Sequence, residues 1–120
     1  MFALRCAVAT IALALAGALD LSDAAEAGGD ATAVAQGRKI LAESCERCHA
    51  IGKTGDSPLA NAPPFRALHR KYPVGHLAEA LAEGITTGHD AMPEFIFSTD
   101  EIVAILAYLD SIADGALPPR

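Results

Sequence analysis

The chain has 120 residues, of which 52% are hydrophobic, and its 15 acidic and 9 basic residues give a formal net charge of −6. This length supports one small domain with a marginal hydrophobic core of its own. The excess of acidic residues argues against nucleic-acid binding, because proteins that bind nucleic acids present clustered Lys and Arg.

The N-terminus has the pattern of a secretory signal peptide. A basic residue, Arg5, is followed by the apolar run Cys6–Leu19 and then by small and acidic residues up to Ala27. The run has fourteen residues, which is shorter than the roughly 20 that a helix needs to cross a bilayer. A retained membrane anchor is the alternative. We therefore predict a signal peptide over residues 1–27, cleaved between Ala24 and Ala27, and an exported protein located in the periplasm.

Removal of this segment changes both the charge and the cysteine content. The predicted mature domain, residues 28–120, keeps 8 basic and 12 acidic residues, a net charge of −4, and loses Cys6 with the apolar run. Only Cys45 and Cys48 then remain. The stretch Gly28–Asp30 is predicted to be a short flexible lead-in to the domain.

The run Cys45-Glu46-Arg47-Cys48-His49 is a C-x-x-C-H motif, the attachment sequence for a covalently bound haem. Two cysteines at this spacing lie on nearly the same face of a helical turn, so both sulfurs can bond to neighbouring vinyl groups on one porphyrin edge. The next residue lies beneath the iron, where its imidazole can be the proximal ligand. The motif occurs once, so we predict one haem c, attached through Cys45 and Cys48 and ligated by His49.

Three other uses of the cysteine pair fit the chain less well. A structural zinc site needs four ligands, and the chain has no later cysteine and no H-x-x-x-H. A thioredoxin-like redox pair needs a strand–helix–strand frame, and the sequence has no convincing strand pattern. A disulfide between residues 45 and 48 would close too small a ring to stabilise the fold much.

Hydrophobic periodicity predicts helices along the rest of the chain. The first runs from about Ala31 to His49 and ends at the haem motif. A short helical turn over Phe65–Arg70 follows Pro63-Pro64, because proline is tolerated in a first turn. A third helix spans Val74–Glu83 and stops at Gly84.

The last helix has the clearest start signal. Ser98-x-x-Glu101 is a capping box, and helix is predicted from Thr99 to Ala113. Its apolar residues repeat with helical period and are predicted to be ordinary core rather than part of a cofactor site: Ile102, Ile105, Leu106, Leu109 and Ile112.

A loop over residues 85–97 contains Met92, the only methionine left after signal removal. A lone methionine often fills a gap in a core. One in a Gly- and Pro-containing loop, downstream of a haem motif, is a candidate for the sixth iron ligand. His89 is the competing ligand, since imidazole commonly binds haem iron. His69 and His76 lie among charged neighbours and are predicted to be solvated surface residues.

These features resemble class I cytochrome c of the small exported bacterial kind, over residues 31–112. The residues that carry the resemblance are Gly37, Leu41, the C-x-x-C-H run, Ala62-Pro63-Pro64-Phe65, Met92-Pro93 and Tyr108-Leu109. The resemblance implies an all-α fold of about four helices and loops wrapped around one haem. It also implies that the first and last helices cross closely, with Gly37 giving room for Tyr108, and that the Pro63 carbonyl accepts the free N–H of His49.

The predicted function is that of a monohaem electron carrier rather than an enzyme. With His49 and Met92 both on the iron, the protein ligands stay bound while the oxidation state changes. The expected partners are redox proteins, with no nucleic acid, and with membranes involved only through transient docking to membrane-bound redox complexes. The alternatives are a haem enzyme or sensor with an open iron site, and a cytochrome subunit of a dehydrogenase or oxidase complex.

Overall fold

The structure, a computed structural model, describes residues 22–84 and 91–115, with side chains from residue 30 onward. This part of the chain is helical and contains no strand. Helix α1 spans Ser22–Ser44, α2 spans Leu77–Glu83 and α3 spans Thr99–Ile112. Two 3₁₀ helices lie between α1 and α2, Phe65–Arg70 and Val74–His76. The predicted all-α fold is therefore confirmed.

Helix α1 differs from its prediction at both ends. It begins at Ser22 rather than Ala31 and so includes Gly28–Asp30, which was wrongly predicted to be a flexible lead-in. A glycine inside a helix costs only about 1 kcal/mol relative to alanine, and the surrounding residues are rich in alanine. The helix ends at Ser44 rather than His49, because the amides of Cys45 and Glu46 both donate to the Leu41 carbonyl and the chain continues as turns.

The predicted signal peptide, residues 1–27, lies mostly outside the described residues, and its cleavage stays a prediction. The predicted cleavage positions, between Ala24 and Ala27, fall within α1. No helix in the described part of the chain is both long enough and apolar enough to span a bilayer.

The other predicted helices are confirmed to within a residue or two. The predicted turn Phe65–Arg70 is a 3₁₀ helix. The predicted helix over residues 74–83 is a 3₁₀ turn that continues as α2 and ends at Gly84, whose φ is 99°. At the start of α3, Ser98 Oγ accepts from the Glu101 amide at 3.4 Å and the Glu101 carboxylate accepts from the Ser98 amide at 2.9 Å. This is the predicted capping box.

Helices α1 and α3 cross at Gly37, as the resemblance to cytochrome c implied. A Cβ atom added to Gly37 would overlap the backbone carbonyl oxygen of Ala104 and lie 2.9 Å from Cβ of Tyr108. The glycine therefore makes room for the backbone of α3 as well as for Tyr108. The apolar residues predicted on one face of α3 belong to the core around this crossing, except that Leu106 is half-buried at its margin. The buried core residues are Leu41, Ile51, Val74, Leu81, Ile102, Ile105, Tyr108, Leu109 and Ile112.

The predictions for two surface histidines have different outcomes. His76 is exposed, as predicted. The prediction for His69 is wrong, since its side chain is only 6% exposed and lies next to Asp114. The charged neighbours of His69 suggested a solvated turn, but the end of α3 packs over this side of the Phe65–Arg70 helix. Sequence periodicity over six residues of 3₁₀ helix does not specify which side is covered.

Candidate haem-binding site

The C-x-x-C-H run follows directly from α1 and is closed by backbone hydrogen bonds. The amides of Cys48 and His49 both donate to the Cys45 carbonyl, at 3.1 and 2.9 Å. Cys45 and Cys48 are both half-buried free thiols. Burial, and secondarily the nearby charge of Cys48, raises the pKa of the Cys45 thiol to about 11. Two free thiols close together at the end of a helix are what thioether attachment at both positions requires.

The imidazole of His49 is held in one orientation. Its Nδ1 lies 2.8 Å from the Pro63 carbonyl oxygen. A carbonyl can only accept a hydrogen bond, so Nδ1 carries the proton and the lone pair is on Nε2, where a metal can bind. The ring also contacts Phe65, with the two ring centroids 4.6 Å apart and the planes tilted by 31°. The hydrogen bond implied by the resemblance is therefore present, and it leaves the correct nitrogen for iron.

The loop after His49 is attached to the haem motif at several points. Leu59 donates its amide to the Cys48 carbonyl at 3.1 Å, and Phe65 donates its amide to the Ala50 carbonyl at 3.0 Å. Ser57 Oγ accepts from the Ala50 amide at 3.0 Å. The residues on both sides of the predicted iron ligand, His49, are thus fixed by hydrogen bonds of their main chain.

Sequence reasoning missed the role of Ser57. A serine in a loop rich in Gly, Ser and Asp is common and carries no signal of a specific bond. Phe65 was recognised only as part of the resemblance, and its contact with the His49 ring is visible only in the structure. Ala62, in this same loop, is buried and has an ordinary negative φ, so the loop reaches Pro63 without backbone strain.

Helix α3 also supports the haem motif. The Tyr108 hydroxyl donates to the Ile51 carbonyl at 2.9 Å in the interior. Because Ile51 is two residues after His49, this bond ties the α1–α3 crossing to the segment that carries the predicted iron ligand. The resemblance indicated Tyr108 as a packing residue, whereas the structure adds this hydrogen bond.

The second predicted ligand lies at the start of the second described stretch. Met92 is half-buried, in a turn that leads to Pro93. His89 lies outside the described residues, so the choice between the two as sixth ligand stays a prediction. The segment is attached to α2 by the Phe97 amide, which donates to the Leu81 carbonyl at 2.9 Å.

The residues present fit a covalently bound haem. Two free thiols and an imidazole with a fixed proton would supply the attachment points and one ligand. Two partly buried residues packed against the core belong to this site, Cys45 itself and Phe65, which contacts the His49 ring. Within the described residues, no three His, Cys, Asp or Glu side chains form a separate metal-binding group.

Comparison with protein families agrees with this assignment. Residues 32–109 match the family described as cytochrome c oxidase, cbb3-type, subunit III. No curated protein and no solved structure gives a significant match. The family match covers about two thirds of the chain, so the chain belongs to this family of c-type cytochrome domains. It therefore carries one covalently bound haem c and functions in electron transfer.

Proposed function

We propose that the protein is an exported, periplasmic monohaem electron carrier whose iron is ligated by His49 and Met92. The observation that carries this proposal is the orientation of His49, with Nδ1 bound to the Pro63 carbonyl at 2.8 Å directly after two free thiols. The pattern of residues 1–27 supports export. The half-buried Met92, in a turn before a proline, supports sulfur ligation.

Each side chain has a defined task in this function. The haem supplies an iron that cycles between the ferrous and ferric states. Cys45 and Cys48 hold the group in place covalently. The bond from His49 to the Pro63 carbonyl increases the electron density of the imidazole and fixes its plane. Met92, a soft thioether ligand, favours the ferrous state and closes the iron to other molecules.

A second candidate is a permanent subunit of a membrane-bound terminal oxidase. The family that the chain matches, subunit III of cbb3-type cytochrome c oxidase, favours it. The two candidates share the haem chemistry and differ in whether the protein stays bound to its partner. Fractionation of native cells distinguishes them: the carrier is found in the periplasmic extract and begins between Ala25 and Gly28, whereas the subunit co-purifies with washed membranes.

The ligand assignment is tested by spectroscopy of the purified haem protein and its variants. The oxidised wild type should show the weak near-infrared band of sulfur-to-iron charge transfer. Met92→Ala should lose this band, bind carbon monoxide and gain peroxidase activity, because one iron position is then open. Met92→His should keep six ligands and lower the reduction potential, since axial ligands move haem potentials over a range of about 0.8 V.

His89→Ala is the matched control in the same loop. It should leave the near-infrared band and the closed iron unchanged. If the wild type lacks the band and His89→Ala alone opens the iron, the protein is a bis-histidine cytochrome of low potential. If the wild type binds carbon monoxide without any substitution, the iron is open and an enzyme or sensor replaces the carrier.

A further inference from the structure

The Phe65–Arg70 helix is held at both of its ends. At its start, Phe65 packs on the His49 ring and the preceding Pro63 carbonyl accepts the His49 proton. At its other end, the helix meets the residues that follow α3. A 3₁₀ helix rises by about 2.0 Å per residue, so these six residues span about 12 Å between the segment that contacts His49 and the residues that follow α3.

The contact at the far end converges on one residue, Asp114. Its amide donates to the Arg66 carbonyl at 3.1 Å. Its carboxylate accepts from the Arg70 guanidinium, and its other oxygen lies 3.7 Å from Nε2 of His69. Three residues of one short helix therefore face a single residue just beyond the end of α3.

The side chains of this cluster contribute little to stability by themselves. The Arg70 side chain is 62% exposed, and an ion pair with so exposed a partner stabilises a fold only slightly. Nδ1 of His69 and Oδ1 of Asp114 are buried without a hydrogen-bond partner within the described residues. Buried unpaired polar atoms reduce stability.

We propose that Asp114 is a positioning residue for His49, acting through the Phe65–Arg70 helix. By fixing Arg66 and Arg70, it holds Pro63 and Phe65 against the imidazole and so keeps the bond from Nδ1 to the Pro63 carbonyl short. Since that bond raises the basicity of the imidazole, Asp114 tunes the electron density at the iron from the far end of the helix. The inference rests on His49 being the iron ligand in the proposed function.

The test compares the haem protein with its Asp114→Asn and Asp114→Ala variants. The measurements are the rate at which the His49 Nδ1 proton exchanges with deuterium, followed by NMR, and the reduction potential. In both variants we expect exchange to be faster by about tenfold, as for loss of one charge-assisted hydrogen bond. The potential should rise, because a less basic imidazole stabilises the ferric state less.

The matched control is Ser98→Ala, which removes the capping box at the opposite end of α3. It weakens the same helix without touching the Phe65–Arg70 helix. It should accelerate exchange of the His49 proton only as much as it accelerates exchange of the slowest α3 amides. Glu43→Gln, which breaks the exposed pair with Lys39 on α1, should change neither the exchange rate nor the potential.

The Arg70→Gln variant extends the test. If Arg70 and Asp114 act as one unit, combining Arg70→Gln with Asp114→Asn should change the exchange rate no more than Asp114→Asn alone. If Asp114→Ala does not fold, Asp114→Asn decides the question, because it keeps the size of the side chain.

Two results would overturn the proposal. In one, the Asp114 variants increase the exchange rate of the His49 proton only by the factor seen for the α3 amides. Asp114 then contributes to overall stability and does not position His49. In the other, neither the exchange rate nor the potential changes, which means that the Phe65–Arg70 helix keeps its place without the Asp114 carboxylate. Failure of the proposed function is distinct, since a wild type without histidine-ligated haem is recognised from its own spectrum before any variant is made.

Discussion

The two predicted iron ligands lie in regions that are built differently. The proximal region, residues 45–70, is closed by main-chain bonds along its length, including those donated by Leu59 and Phe65. In the Met92 segment, residues 91–98, the main-chain bonds among the described residues lie only at its end: the Phe97 amide donates to the Leu81 carbonyl, and the Ser98 carbonyl accepts from the Ile102 amide at the cap of α3. Ile96 within it is 68% exposed.

Within the described residues, this difference parallels the distance of each predicted ligand from the predicted attachment sites. His49 is adjacent to the covalent attachment sites, so a small error in its loop would misplace the whole group, and many short-range bonds fix it. Met92 has no attachment beside it, and its segment is anchored at its far end by α2 and α3. We therefore expect substitutions in the proximal region and its supporting helices to cost stability, and those in the Met92 segment to cost much less.

The largest effect is expected for Gly37→Ala, at the crossing that supports the proximal region. The added methyl group overlaps the backbone of Ala104, so α1 and α3 must separate. We expect the free energy of unfolding to fall by about 3 kcal/mol, measured by guanidinium titration of the haem protein. Gly52→Ala is the control, because its nearest neighbouring atom would be 3.9 Å away. Equal costs at the two positions would contradict a tight crossing.

A smaller loss is expected for Phe65→Ala, which removes the ring that packs on His49. Loss of a half-buried aromatic side chain should lower the free energy of unfolding by about 2 kcal/mol. It should also broaden the NMR signals of the His49 ring, because the ring loses its contact with the Phe65 ring. Phe65→Leu keeps most of the volume and should retain most of both properties. If both variants behave like the wild type, the imidazole is held by Pro63 alone.

Acid should weaken the anchor of the Met92 segment at Ser98. The pKa of Glu101 lies below its ordinary value, because its carboxylate accepts hydrogen bonds from the Ser98 amide, which is the larger cause, and from the Ser98 hydroxyl. A carboxyl group with a lowered pKa stabilises the fold at pH values above its ordinary pKa of about 4.3. This stabilisation is lost as the pH falls through the pKa that the group has in the folded protein. Thermal unfolding of Glu101→Gln should therefore be less pH-dependent below about pH 5. Parallel curves for variant and wild type would contradict this.

The smallest effect is expected for Ile96→Ser, in the most exposed part of the Met92 segment. With 68% of Ile96 exposed, the free energy of unfolding should change by less than about 0.5 kcal/mol. The reduction potential should not change, because the residue does not support a ligand. A loss comparable to that of Phe65→Ala would erase the contrast between the two regions. Loss of a native membrane complex in this variant, with stability unchanged, would favour the oxidase-subunit candidate.

The sequence alone determined the features that depend on short-range chemistry. The C-x-x-C-H spacing, the capping box of Ser98 and Glu101, and the stop at Gly84 each need only a few neighbouring residues, so they are recognised without a fold. The bond between His49 and Pro63 and the crossing at Gly37 came from the resemblance to a known family, and the structure shows both. Residues 1–27 and the role of Met92 stay predictions.

Only the tertiary structure decided which side of each short element is covered. His69 was predicted to be solvated because its neighbours are charged, yet the end of α3 buries it beside Asp114. Ser57 gave no signal because its partner, the Ala50 amide, is specified by the path of a loop. Local sequence fixes which conformations are favourable, whereas burial and long-range bonds depend on how the elements pack, and packing joins residues far apart in the chain.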